Sequence, residues 1–159
     1  MAEPFSRHAI ARAFFGDFPV EIRLEIYDLL LVSRFNRWEH PSWSVGNTDQ
    51  KLILLDHVQA QQYRTMEPAI LQTCKKIYRE AVPVLYSRNV FRFNDPDLML
   101  RLMVQIGHTN TGLIQSLDIY VPPQADKGSW LSLLHTLPKT TTGLKSVVVR
   151  WWGEGFEKP

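Results

Sequence analysis

Ile114-Gln115-Ser116-Leu117-Asp118-Ile119 returns thirty residues later as Leu144-Lys145-Ser146-Val147-Val148-Val149, with its apolar positions matched. Both segments are short and rich in β-branched or aliphatic residues, which predicts strands. Between them, Trp130 to Leu137 is apolar enough to be a crossover helix. A strand–helix–strand unit of this length predicts two parallel strands lying side by side. Two copies make a short repeat, and any right-handed βαβ crossover has the same pattern.

Upstream, Phe18-Pro19-Val20-Glu21-Ile22-Arg23-Leu24-Glu25-Ile26-Tyr27-Asp28-Leu29-Leu30 predicts an amphipathic helix ending near Val32 or Ser33. Proline suits the first helical turn because its missing N–H would have no partner there, and Glu21 complements the positive end of the helix dipole. Phe18, Ile22, Ile26, Leu29 and Leu30 share one stripe, predicted to be the half-buried one. Lys51 to Val58 reads as a strand, with a short helix as the alternative. Pro68 opens a second helix with Ile70, Cys74, Ile77, Ala81 and Leu85 on its apolar face, and Pro83 predicts a kink or short break. Val90, Phe91 and Phe93 suit a strand, and Asp95 caps a third helix, Pro96 to Ile106, closed by Gly107.

These elements predict an α+β fold: a helical N-terminal part packed on a small sheet, joined to a C-terminal βαβ unit of leucine-rich-repeat type. We read residues 1–16 as a loosely ordered arm and 17–152 as a single domain. Within it, 17–112 is the helical part with strand insertions and 113–152 the repeat-like part. Residues 153–159 form a tail. The polar segment from Arg34 to Gln50 carries Trp38 and Trp43, which either anchor a partner or fold back over the domain's own core.

Composition is that of an ordinary globular chain: 45% hydrophobic, 21% charged, net charge +2. With Cys74 the single cysteine, no intrachain disulfide forms, and no run is long and apolar enough for a membrane span. The N-terminus lacks the apolar core of a signal peptide, so cytoplasm or nucleus is expected. The five histidines (His8, His40, His57, His108, His135) show no metal-ligand spacing, and Cys74 on an apolar stripe reads as an inert thiol. Phosphate loops and nucleophile elbows are missing from the sequence. Glu21 and Glu25 read as a solvated pair near Arg23. No cofactor, no metal and no enzymatic activity are expected. Lys75, Lys76 and Arg79, with Arg88, Arg92 and Arg101 beyond, would suit phosphate contacts, but a solvated helix flank is the ordinary explanation, and nucleic acid is not favoured.

The helix opening at Pro19 and the segment Leu71-Gln72-Thr73-Cys74-Lys75-Lys76-Ile77-Tyr78-Arg79-Glu80-Ala81-Val82-Pro83-Val84-Leu85-Tyr86, followed by Asn89, Phe91 and Phe93, together resemble fungal F-box-like domain proteins. The resemblance covers about 18–121, with Lys75 where arginine is commoner. It implies a substrate receptor of an SCF-type ubiquitin ligase, whose first helix packs on a Skp-type adaptor while the repeat region binds substrate. Phe18, Pro19, Ile22, Ile26 and Leu30 would then be the adaptor-binding residues. The sequence departs from a compact F-box in the long segment, Arg34 to Glu67, that separates its two helices.

Two functions therefore stand as expectations. The first is a non-enzymatic protein-interaction module of this F-box-like kind, with Ile22, Ile26 and Leu30 contributing to an exposed apolar patch. The second is a stand-alone structural domain that self-associates through its C-terminal edge strand, residues 145–152.

Overall fold

The computed structural model describes residues 18–33, 52–55 and 66–151. The predicted arm, the tail, Trp38, Trp43, Trp152 and three histidines (His8, His40, His57) lie outside the described residues. Among the described residues four α-helices and four strands alternate: α1 (Val20–Leu31), β1 (Leu52–Leu54), a 3-10 turn (Pro68–Gln72), α2 (Lys75–Ser87), β2 (Val90–Phe93), α3 (Pro96–Thr111), β3 (Ser116–Val121), α4 (Lys127–Thr140) and β4 (Ser146–Trp151). The mixed helix–sheet class is the one expected, and its sheet is a single piece. All four strands are parallel, in the order β1-β2-β3-β4.

The repeat is visible in the register. Ser116 lies opposite Ser146, Leu117 opposite Val147 and Ile119 opposite Val149. It also reaches further back than the strands. Thr111 and Thr141 are both buried, and each hydroxyl donates to the carbonyl four residues earlier, Gly107 at 2.8 Å and Leu137 at 2.6 Å. Each threonine carbonyl then accepts from the amide three residues on, Ile114 and Leu144. The same device therefore ends both helices and turns the chain into both strands.

One face of the sheet carries Phe91, Phe93, Leu117, Ile119 and Val121, which pack with Met99 and Met103 of α3 and Trp130, Leu133 and Leu137 of α4. Trp130 stacks on Phe93, ring centroids 6.2 Å apart. On the opposite face Asp118 is almost fully buried and accepts from Arg92 on β2 (2.9 Å) and from Arg150 on β4 (3.0 Å). One carboxylate thus ties three strands. A second core, Tyr27, Leu31, Val32, Ile70, Ile77, Ala81 and Val84, holds α1 against α2.

Three local expectations are corrected. The segment opening at Pro68 is not one helix: Thr73 bonds the carbonyl of Ile70 (2.7 Å), and Cys74 is fully extended (φ −160°, ψ 164°) as the cap of α2. Cys74 is therefore half-buried at a helix start, outside any helical stripe. Pro83 does not break α2, which runs on to Ser87. It lies on the exposed side of the helix together with Arg79, the residue whose carbonyl loses its N–H donor. Gly107 does end a helical run, but α3 resumes beyond it to Thr111; at φ 78° and ψ 166° Gly107 occupies backbone space that is nearly glycine-only. Asp95 caps α3 as expected, accepting from the Asp97 amide at 2.9 Å.

Two glycines set a stability test. A Cβ on Gly107 would meet nothing within 4 Å, so Gly107→Ala pays only for backbone strain, on the order of 1–3 kcal/mol. A Cβ on Gly143 would fall on the Gly112 carbonyl of the preceding repeat turn, which is backbone and cannot swing aside. Gly143→Ala should cost at least as much, roughly 1–3 kcal/mol from overpacking. Urea titrations should show lower midpoints with unchanged slopes for both.

Candidate functional site

α1 is built around a polar anchor. Arg23, Tyr27 and Leu31, one turn apart, are its buried residues. The Arg23 guanidinium donates twice to Glu80 of α2, Nε to Oε2 and Nη2 to Oε1, each at 2.8 Å. Its Nη1 donates to the Phe18 carbonyl, and the Tyr27 hydroxyl donates to Glu80 Oε2 at 3.0 Å. Just past the helix end, Asn89 accepts from the Ser33 amide (2.8 Å) and donates to the carbonyls of Leu31 (2.9 Å) and Leu85 (2.7 Å). Together these bonds hold α1 on α2 and lead into β2.

This anchor rotates the helix relative to the sequence reading. The predicted stripe of Phe18, Ile22, Ile26, Leu29 and Leu30 is not the core face; the core face is Arg23, Tyr27 and Leu31, with Leu24 and Leu30 packed beside it. A charged residue was expected off the stripe, and Arg23 instead sits at its centre because Glu80 satisfies it. It does not pair with Glu21 or Glu25.

The rotation leaves apolar side chains outside. Ile22 is 46% exposed and Leu29 54% exposed, with Ile26 half-buried between them. At spacings of four and three residues these form one continuous row. Of the other sequence-derived candidates, Pro19 is exposed at the head of this row, Phe18 is half-buried, and Leu30 turns inward. Leu29 takes the outward place assigned to Leu30.

Lys75, Lys76 and Arg79 are exposed on α2, Arg88 pairs with Asp28 across the surface (2.7 Å), and Arg92 is buried in the sheet against Asp118. Among the described residues no group of three His, Cys, Asp or Glu side chains could hold a metal ion, and no helix is long and apolar enough to cross a membrane.

The anchor has a pH signature. Hydrogen bonds from Arg23 hold the Glu80 carboxyl below its ordinary range, and burial, reinforced by Glu80, pushes the Tyr27 phenol up to about 12 from 10.0. A carboxyl with a depressed folded-state pKa contributes stability in full above its unfolded value and loses it as pH falls through the folded one. A phenol with a raised pKa contributes below its unfolded value and loses it as pH rises toward about 12. Melting temperature should therefore fall on both limbs, and Glu80→Gln should lower it at neutral pH while flattening the acid limb. Arg88→Ala, at the exposed pair, should change stability by only about 0–1 kcal/mol.

Neither a curated protein nor a solved structure matches the chain. A family model does, over residues 9–127, a span that includes the α1–α2 anchor, β2, α3 and β3. The chain belongs to that family, described as Domain of unknown function (DUF7730).

Proposed function

We propose that this chain is a non-enzymatic protein-interaction module of F-box-like type, in which α1 docks a Skp-type adaptor and the βα repeat region presents a surface to a substrate. The observation that carries this reading is the outward apolar row Ile22, Ile26 and Leu29 on a helix whose other face is fastened by Arg23 and Tyr27. Such a row matches the helix-in-groove mode of recognition, where side chains one turn apart enter an apolar groove. The anchor removes α1's freedom to roll the row inward, so little ordering cost remains when a partner binds. Exposed Pro19 extends the row to the start of the helix.

A pull-down with purified Skp-type adaptor tests this. The wild-type chain should be retained, while Ile22→Asp and Leu29→Asp should each weaken binding about tenfold or more, equivalent to about 1.4 kcal/mol. Both side chains are about half exposed, so circular dichroism and melting temperature should stay near wild type. Glu25→Ala, exposed on the same helix, should bind normally. No retention of a folded wild-type chain would overturn the reading.

A further inference from the structure

Among the described residues β4 is an edge strand, and its apolar face is exposed. Val147, Val149 and Trp151 share the face on which β2 and β3 bury Phe91, Phe93, Leu117, Ile119 and Val121, yet they are 46%, 57% and 71% exposed. Val148, on the other face, is 43% exposed. On α4, Leu131 (67% exposed) and Leu134 (49%) lie on the flank opposite half-buried Ser129, Thr136 and Thr140. The main chain is open as well. The Ser146 amide donates to the Gln115 carbonyl, so Ser146, Val148 and Arg150 bond toward β3, and the N–H and C=O groups of Val147, Val149 and Trp151 point to the open edge.

We infer that this edge pairs with the same edge of a second copy of the chain, antiparallel, about a two-fold axis at Val148. A closed two-fold brings identical edges together, which makes the strands antiparallel. Centring on Val148 uses the whole strand and places Val147 opposite the partner's Val149, Ser146 opposite the partner's Arg150, and Lys145 opposite the partner's Trp151. The outward backbone groups of Val147 and Val149 then bond reciprocally. No like charges face each other, which would be destabilising, and lysine against tryptophan is a favourable cation–π arrangement. The strand is thus complementary to its own reverse. The proposal is independent of the adaptor reading, because it uses the opposite end of the chain.

Light scattering over a concentration series tests it. The wild-type chain should move from 18.5 kDa toward twice that mass. Val149→Pro removes one outward N–H, a position where an edge strand tolerates proline, so this variant should stay folded by circular dichroism and remain a monomer. Ile22→Asp on α1 should dimerise as wild type does. Register is read by disulfide trapping in a Cys74→Ser background. Val148→Cys should cross-link to itself under oxidising conditions, since directly opposed Cα atoms in this kind of pair lie about 4.5 Å apart. Val147→Cys should not, because its two copies would be about 8 Å apart. A folded wild-type chain that stays monomeric, a dimer indifferent to Val149→Pro, or cross-linking at Val147 in place of Val148 would each overturn the inference.

Discussion

Glu80 is the carboxylate on which the N-terminal half depends. It accepts two bonds from Arg23 and one from Tyr27, both on α1, and it sits on the helix that continues through Asn89 into β2. Removing a guanidinium and a carboxylate from water is costly, and only good geometry offsets it; here the fork of Arg23 meets both carboxylate oxygens while its third nitrogen finds the Phe18 carbonyl. The consequence is directional more than energetic. Hydrophobic contacts alone would let α1 roll between its two apolar sides, since Ile22, Ile26 and Leu29 are as oily as Leu24, Leu30 and Leu31. The ion pair admits one orientation, and the surplus apolar side is left in solvent.

The sheet half uses a similar device. Asp118 is held between Arg92 and Arg150 on neighbouring strands, so a single buried acid fixes how β2, β3 and β4 align. Because strand register repeats every two residues, a slip by one would carry Asp118 into the apolar layer of Leu117, Ile119 and Trp130. The paired threonines Thr111 and Thr141 then set where each strand begins.

Much of this was legible in the sequence, and the reasons differ by element. Proline and aspartate announced α3, and matched apolar letters announced β3 and β4, because caps and strand alternation are local. The face of α1 was not legible from periodicity, since its apolar letters outnumber one stripe and the deciding residue is an arginine whose partner lies 57 positions away. Pro83 misled for the opposite reason: it lies with Arg79 on the exposed side of α2, and the helix runs on past it. Of the five residues expected to bind an adaptor, Pro19, Ile22 and Ile26 are on the outward side of α1, Phe18 is half-buried, and Leu30 packs against the inner core while its neighbour Leu29 is exposed.

The two apolar surfaces arise by different physics and rest on different cores. The row on α1 is outward because a polar anchor claims the other side of the helix, and it is backed by the cluster of Tyr27, Leu31, Ile77 and Ala81. The face of β4 is outward because β4 is last in the sheet among the described residues, and its Val147, Val149 and Trp151 are left out of the core that α3 and α4 build with β2 and β3. A parallel strand is ordinarily buried on both faces, and β4 has the composition of one, three valines and a tryptophan, without the lysines or prolines that blunt a solvent edge. Its composition is thus that of an interior strand placed at an edge, and that mismatch is resolved when another strand lies beside it.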